Sequence, residues 1–213
     1  MSQETLAGGY LKSSVEDLFR STDAWQSGHF LLSSGLHSDQ YMQCQRVLQY
    51  PLHGMNLARE LAKLMVDQGI RPSAVVGPAL GAVHLEVFMA LAFNELCPPQ
   101  NDRQQVRAIF AERADGNEFS IRRGVELAAG EEVIVVEDVT TTGGSARKVV
   151  ELLRTIGARP IAVGTIIDRS GGTANFDLPF YSLKALTLKT YEAKDCPMCQ
   201  AGGSPIKPGS SKK

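Results

Sequence analysis

The sequence predicts an α/β fold in which helices flank a mostly parallel central sheet. Four short apolar runs rich in valine, isoleucine and alanine are typical of buried parallel strands, and they lie at residues 74–77, 106–111, 133–138 and 160–167. Segments of helical character alternate with these runs, at residues 55–68, from about 83 to 96, and at 146–156. This alternation favours parallel strands joined by right-handed crossovers.

Length and composition place the chain among ordinary globular domains. It has 213 residues, of which 43% are hydrophobic and 21% charged, so one α/β domain with a sizeable core is expected. The formal net charge of −1 argues against nucleic acid or an anionic membrane as a partner. The sequence shows neither a bilayer-spanning apolar run nor a secretory signal, and its four cysteines suggest no disulfide framework. We therefore expect a cytoplasmic protein with reduced thiols.

The N-terminal elements are predicted from periodicity. Residues 10–25 are expected to form an amphipathic helix, because apolar residues from Leu11 to Phe19 recur at helical spacing. Residues 30–41 combine a short apolar piece with a polar loop, which indicates a hairpin or a cap. Residues 55–68 form a strongly amphipathic helix, and Gly69 fits the position just after its end.

Loops and turns complete the order of elements. The strand at 74–77 leads into residues 78–82, a turn that opens the next helix. Residues 112–124 are polar and punctuated by glycine, which predicts a mobile loop or a hairpin. Gly157 ends the helix at 146–156, and the last strand leads into Arg169. From about Gly202 the chain is rich in Gly, Pro, Ser and Lys, so a flexible tail is expected over 202–213.

The segment 137–145 carries the chemistry. A buried strand runs into two carboxylates, Glu137 and Asp138, and a loop of hydroxyls and glycines then opens a helix. The loop offers N–H and O–H donors at a helix N-terminus, which suit a phosphate, and the carboxylates suit sugar hydroxyls. A sugar phosphate satisfies both groups. A Walker loop is excluded because no lysine follows the glycines, and no strand–helix turn carries the dinucleotide pattern GxGxxG.

This segment resembles the phosphoribosyl-diphosphate (PRPP) signature of type I phosphoribosyltransferases. The resemblance implies that Glu137 and Asp138 hold the ribose 2′- and 3′-hydroxyls and act in catalysis. It also implies that the loop binds the 5′-phosphate, so the expected PRPP-binding residues beyond the two acids are Val139, Thr140, Thr141, Thr142, Gly143, Gly144 and Ser145.

Four further segments resemble those of orotate phosphoribosyltransferases. Residues 28–41 resemble the N-terminal hood motif, and residues 77–81 resemble the pyrophosphate loop, which implies roles for Ala79, Leu80 and Gly81. Residues 110–124 resemble the flexible catalytic loop, which implies that Arg113 contacts PRPP during catalysis. Residues 167–169 resemble the segment whose arginine meets the orotate carboxylate, so Arg169 and Thr141 are the expected orotate-binding residues.

The chain has fewer lysines than many members of that family. Ser33 stands where many carry lysine before the Ser-Gly of the hood, and Gly81 and Ala82 fill a stretch of the pyrophosphate loop that often holds one. In the catalytic loop the basic residues are arginines, of which Arg122 and Arg123 are weaker candidates than Arg113 for pyrophosphate.

The resemblance implies a single phosphoribosyltransferase domain over residues 1–201, with a small hood at about 10–50 and a core at about 55–190. The substrates would be PRPP and orotate, and the cofactor Mg²⁺, held mainly through PRPP rather than by protein ligands. A homodimer is expected, whose loop reaches the neighbouring site. Two alternatives stay open: a phosphoribosyltransferase for a purine base, which the hood motif and Arg169 disfavour, and a non-catalytic PRPP sensor on the same fold.

The pair Cys196 and Cys199 forms half of a zinc-ribbon pattern. No second CxxC or HxxH pair exists in the sequence, so a zinc site would need Cys44, Cys97 or another subunit. We therefore interpret the pair as structural. The histidines are isolated in sequence: His37, His53 and His84 are expected to be structural or exposed, and the hood residue His29 is given no role.

Overall fold

A computed structural model describes residues 14–32, 34–98, 105–114 and 118–208. The helices are α1 (Val15–Ser21), α2 (Gln45–Leu48), α3 (Pro51–Asp67), α4 (Val83–Leu96), α5 (Gly144–Thr155) and α6 (Pro197–Gln200). The strands are β1 (Trp25–Leu31), β2 (His37–Met42), β3 (Ala74–Pro78), β4 (Arg107–Arg113), β5 (Phe119–Ser120), β6 (Glu132–Thr140), β7 (Arg159–Asp168), β8 (Phe180–Ala185) and β9 (Thr190–Tyr191).

The central sheet has the order β5-β4-β3-β6-β7-β8, and every pairing except that of β5 with β4 is parallel. The prediction of a mostly parallel α/β sheet is therefore confirmed, as are its four apolar strands. The β4–β5 pair shows that the segment after residue 112 forms a hairpin around its tip. Strand β8 has no counterpart among the predicted strands, because its half-buried residues form no continuous apolar run.

Helices cover both faces of this sheet. On β6, Ile134 and Val136 face the cluster that contains α3 and α4, whereas Val133 and Val135 face α5. The strand is thus apolar on both sides, as a central parallel strand must be. Burial on both faces fixes β6 rigidly, and it fixes the direction in which the loop after β6 emerges.

A second, smaller sheet forms the hood. Strands β1 and β2 pair antiparallel, so of the two expectations for residues 30–41 the hairpin is confirmed. Strand β9 pairs with β2 on its other side and comes from the opposite end of the chain. The hood is therefore not confined to residues 10–50, because C-terminal residues complete its sheet.

The predicted N-terminal helix is wrong at its C-terminal end. Helix α1 begins after a capping box in which Ser14 and Asp17 bond each other's backbone and side chains, and it ends at Ser21. The Thr22 hydroxyl donates to the Leu18 carbonyl, and Asp23 takes a left-handed conformation with φ of 54°. The chain then turns directly into β1. The predicted start of this helix, including Leu11, lies outside the described residues.

The C-terminal stretch 202–208, for which the sequence predicts a flexible tail, pairs with the hood through its backbone. The Ile206 N–H donates to the His29 carbonyl at 2.8 Å, and the Leu31 N–H donates to the Ile206 carbonyl at 2.9 Å. Ile206 thereby forms a bridge beside β1, although it is 65% exposed. Backbone pairing rather than apolar burial holds this stretch, and composition does not reveal such pairing. The last residues, 209–213, lie outside the described part.

A search of the described residues for a helix long and apolar enough to cross a bilayer finds none.

Candidate active site

The two carboxylates stand at the carboxyl end of the central strand. Glu137 and Asp138 lie within β6, which continues to Thr140, two residues beyond the predicted end. Because neighbouring residues of a strand face opposite sides of the sheet, the two acids point to different places. Glu137 lines a pocket at the start of α5, and Asp138 faces the backbone of Gly81.

A polar pocket of about 230 Å³ occupies the space between β6, α5 and the end of β4. Its lining residues are Arg113, Phe119, Glu137, Thr141, Thr142, Gly143, Gly144, Ser145 and Lys148. Backbone N–H groups of a helix start, three hydroxyls and two cationic side chains converge here, which is a suitable environment for a phosphate. The structure thus brings most of the sequence-predicted loop together in one pocket, while Thr140 is buried beneath it.

Gly143 is required by the shape of this loop. Its φ is 74°, in the left-handed region, and a Cβ there would lie 2.8 Å from the ring of Phe176. Only glycine meets both conditions without strain. The tight turn aims the following N–H groups of α5 into the pocket.

Burial shapes the charge of both acids. It raises the pKa of Glu137 to about 7, and the neighbouring Asp138 charge adds to this increase, while hydrogen bonds from Ser145 and Thr140 and the positive charge of Arg113 oppose it. Burial also raises the pKa of Asp138 to about 6, against the hydrogen bond that it accepts from the Val139 N–H. Both groups are poised to change protonation near neutral pH, a property typical of functional sites.

A larger pocket of about 630 Å³ adjoins the first and shares Thr141 and Thr142 with it. Apolar residues of the hood form one wall: Leu31, Leu32, Leu36 and the ring of Tyr41. The polar part of the lining includes Arg169 and Ser170, and the C-terminal residues Lys207 and Pro208 complete it. This lining suits a flat ring with a polar substituent.

Arg169 lies half-buried in this larger pocket. The structure shows no ion pair between Arg169 and Asp168, which instead accepts from the Ser170 N–H at 2.8 Å. Among the described residues Arg169 has no carboxylate partner, and its Nε is buried without an acceptor. Burial lowers the pKa of this guanidinium. An unpaired cation in a ligand-sized pocket favours an anionic ligand.

The predicted pyrophosphate loop lies beside Asp138. A Cβ on Gly81 would stand 3.3 Å from Asp138 Oδ1, so the loop backbone and the carboxylate share one edge of the site. The amide of Gln45 donates to the Gly81 carbonyl at 2.6 Å and fixes the loop. The peptide bond between Ala79 and Leu80 is cis. None of the three loop residues lines either pocket.

Comparison with known proteins agrees with this geometry. A phosphoribosyl transferase domain model matches residues 46–197. The chain is 45% identical to the orotate phosphoribosyltransferase of Caldanaerobacter subterraneus, over 94% of this chain and 98% of that one. It is 43% identical to the enzyme of the same name from Thermotoga maritima, over 92% and 97%. The chain belongs to the orotate phosphoribosyltransferase family.

Solved structures share the fold. A Mycobacterium tuberculosis orotate phosphoribosyltransferase superposes with a TM-score of 0.62 at 24% identity, covering 80% of this chain and 95% of that one. An adenine phosphoribosyltransferase from Saccharomyces cerevisiae superposes with a TM-score of 0.57 at 18% identity, covering 80% and 100%. Since enzymes for different bases share this architecture, the fold alone does not select the base.

The basic residues of this orotate phosphoribosyltransferase family member are distributed unequally. Arg113 lines the smaller pocket together with Glu137, whereas Arg122 donates to the Ser120 hydroxyl and Arg123 pairs with Glu112. Neither Arg122 nor Arg123 lines either pocket. Sequence reasoning missed two lining lysines, Lys148 and Lys207. The first stands one turn into α5 and could have been found from that spacing, but the second comes from the misassigned tail.

Two histidines for which the sequence predicts no ligand role lie in one cluster with two cysteines. His29 and His37 meet Cys196 and Cys199, so that one nitrogen or sulfur atom from each lies within 4.8 Å of all the others. Cys44 and Cys97, the partners that the sequence suggested for a metal, are not in this group. The hairpin turns two histidines eight residues apart into neighbours, which no simple sequence pattern indicates.

Proposed function

We propose that this protein transfers the phosphoribosyl group of PRPP to orotate, giving orotidine 5′-monophosphate and pyrophosphate in pyrimidine biosynthesis. The carrying observation is that two pockets meet at Thr141 and Thr142. The lining of one suits a phosphate, and the other combines apolar hood residues with an arginine that has no carboxylate partner in the described part of the chain. A ribose 5-phosphate spanning this junction would place its anomeric carbon beside the base.

The ribose-phosphate half of the reaction depends on the loop between β6 and α5. The residues from Thr141 to Ser145 hold the 5′-phosphate, and Glu137 and Asp138 accept hydrogen bonds from the ribose hydroxyls. Binding of these remote groups orients the anomeric carbon and supplies energy for the reacting centre. As the ring develops oxocarbenium character, the nearby carboxylates also stabilise its positive charge.

The base half depends on the larger pocket. Orotate is a flat ring with a carboxylate, so its ring would pack on the hood residues Leu31 and Tyr41 while its carboxylate meets Arg169. The bond from the anomeric carbon to a pyrophosphate oxygen breaks, and a bond from that carbon to a ring nitrogen of orotate forms. The proton of that ring nitrogen is released to solvent or to the departing pyrophosphate. No covalent intermediate with the protein is needed. Closure of the β4–β5 hairpin over the site would exclude water that otherwise hydrolyses PRPP.

Mg²⁺ belongs to the proposal as the cofactor. The ligand atoms that Glu137, Thr141, Thr142 and Ser145 offer to the phosphate pocket are oxygens, the type that Mg²⁺ prefers, and few are carboxylates. This set fits an ion held chiefly by the substrate. When bound, Mg²⁺ neutralises charge on the leaving pyrophosphate.

The proposal also includes a homodimer in the cytoplasm, as the family resemblance implies. Sedimentation equilibrium with and without PRPP tests the first of these expectations: a dimer is expected in both cases, and a monomer that turns over at full rate would contradict it.

A spectrophotometric assay tests the function. Orotate, PRPP and Mg²⁺ are mixed with the enzyme, and both orotate loss and pyrophosphate release are followed. We expect one pyrophosphate to be released for each orotate consumed. No turnover is expected when adenine, guanine, hypoxanthine or xanthine replaces orotate. Faster turnover of a purine would contradict the base assignment. Binding of PRPP without pyrophosphate release from any base would show a sensor instead of an enzyme.

A further inference from the structure

Four potential metal ligands converge at the outer edge of the hood. His29 lies on β1 and His37 on β2, while Cys196 and Cys199 bracket the start of α6. His29 Nε2 lies 3.0 Å from His37 Nδ1, 3.4 Å from Cys196 Sγ and 3.6 Å from Cys199 Sγ. Cys199 Sγ lies 3.2 Å from His37 Nδ1. We propose that these four residues bind one structural Zn²⁺ ion.

The distances match a tetrahedral centre. With Zn–N bonds of about 2.05 Å and Zn–S bonds of about 2.3 Å, tetrahedral angles require N···N near roughly 3.3 Å and N···S near roughly 3.6 Å. The observed separations fall within a few tenths of an ångström of these values, so the ion needs only a slight expansion of the group.

The chemistry of the ligand set selects zinc. Two thiolates and two imidazoles in a tetrahedron are typical of structural zinc sites, and four protein ligands leave no open position for catalysis. The complex of Zn²⁺ with two thiolates and two neutral imidazoles carries no net charge, which suits a place where Cys196 is fully buried and His37 is 6% exposed.

The contacts of the His29 ring also favour a bound metal ion. Its Nδ1 is buried and has no hydrogen-bond partner, so every polar contact of the ring is made through Nε2 toward the other three residues. Without a metal, the single nitrogen Nε2 would have to serve His37 Nδ1 and two thiols at once, and thiols are weak hydrogen-bonding groups. A metal ion gives all four ligand atoms a strong common partner.

The site would tie the C-terminal segment to the hood. His29 also accepts the Ile206 N–H through its carbonyl, and the next two residues, Lys207 and Pro208, line the larger pocket. The ion would therefore hold both the hairpin and the segment that completes the base pocket. This role lies beyond the proposed transfer reaction and does not depend on it.

Metal content is the first test. Protein purified without chelator should contain about one zinc per chain by mass spectrometry, and the Cys199→Ser variant should lose most of it. The Cys97→Ser variant is the matched control, because that thiol lies outside the group, and it should keep its zinc. Iron or copper at one per chain would overturn the assignment of the ion. Protein purified under reducing conditions that contains no bound metal, or a Cys199→Ser variant that keeps its zinc, would overturn the site.

Cobalt substitution keeps the proposal testable even if the serine variant fails to fold. Wild-type protein stripped with a chelator and reloaded with Co²⁺ should show the strong visible bands of tetrahedral cobalt and a thiolate charge-transfer band. Bands of octahedral cobalt, or none, would overturn the proposal. Mg²⁺ is restored before any activity assay, so a failure of the transfer reaction is distinguished from a failure of the zinc site.

Amide hydrogen exchange tests whether the zinc ion holds the C-terminal segment against the hood. Two amides report on it directly, those of Leu31 and Ile206, because they form the backbone pair between hood and C-terminal segment. Removal of zinc should speed their exchange at least about tenfold, as expected for a local opening. The amide of Val135 in the central strand is the control and should not change. Equal exchange of the two reporter amides with and without zinc would refute the structural role.

Discussion

Replacement of Arg169 by methionine separates recognition of the base from the rest of the site. Arg169 lies half-buried in the larger pocket, and no carboxylate among the described residues pairs with it. Its backbone N–H donates to the Thr140 carbonyl at 2.7 Å, a bond that the substitution keeps. Methionine has a similar length but no charge, so the change removes the guanidinium and little else.

The expected magnitude follows from these contacts. A hydrogen bond to a charged group contributes about 1.5–3 kcal/mol, so loss of the contact with a carboxylate should lower kcat/KM for orotate roughly 10- to 150-fold. Burial lowers the pKa of Arg169, which means that folding disfavours its charge. Because no internal ion pair is broken, the melting temperature of the variant should equal or exceed that of the wild type.

Combining the Arg169→Met substitution with a change of base isolates the contact between Arg169 and the orotate carboxylate. Initial rates are measured with orotate and with uracil, which lacks the carboxylate, for the wild type and for Arg169→Met. The wild type should prefer orotate strongly, and the variant should treat the two bases alike within a few-fold, with an unchanged KM for PRPP. Arg59→Met is the control, since Arg59 pairs with Glu95 away from both pockets. An orotate preference that survives in Arg169→Met would refute the carboxylate contact.

Three further predictions concern the loop after β6, Asp138 and a buried carboxyl outside both pockets. Gly143→Ala should destabilise the protein by at least about 1 kcal/mol and raise the KM for PRPP, because of its φ of 74° and the nearby Phe176 ring; unchanged thermal unfolding and KM would contradict this. Asp138→Asn should lower kcat/KM for PRPP roughly 100-fold or more with an unchanged circular dichroism spectrum, so near-normal turnover would refute its role. Glu86 is buried, and burial raises its pKa from 4.5 to about 8. Its carboxyl group therefore stays protonated to higher pH in the folded state than in the unfolded state, and the stability of the protein falls as pH rises from 4.5 to 8. Glu86→Gln should therefore gain roughly 1–3 kcal/mol over the wild type between pH 5 and pH 8 in denaturant unfolding, and parallel pH profiles would count against it.

The strand, the turn and the helix start around residues 132–145 could be predicted from the sequence because this segment is local. A buried strand, two acids, a glycine turn and a helix start follow one another within 14 residues, from Glu132 to Ser145. Each step constrains the next, because a strand buried on both faces leaves its loop only one direction in which to emerge. The apolar runs likewise predict the parallel strands, since burial on two faces needs apolar side chains at every position.

Elements without a continuous apolar run were harder to predict. Strand β8 is half-buried from Phe180 to Lys184, with Tyr181 and Leu183 packed against the core, and β9 has only two residues. Ile206 bonds to β1 while its side chain stays 65% exposed. Hydrogen bonds between segments distant in the sequence depend on the tertiary fold of the whole chain. A local sequence pattern does not indicate them.

The two pockets therefore differ in how their walls are held in place. The smaller pocket is built mostly from residues 137–148 at the end of β6 and the start of α5, and the β4–β5 hairpin adds Arg113 and Phe119. The base pocket takes its walls from the hood hairpin, from the loop after β7, and from Lys207 near the other end of the chain. Its shape therefore depends on long-range pairing that opens more easily than β6. It follows that changes in the hood or in the C-terminal segment should alter the KM for orotate more than the KM for PRPP, whereas changes in the loop between β6 and α5 should do the reverse.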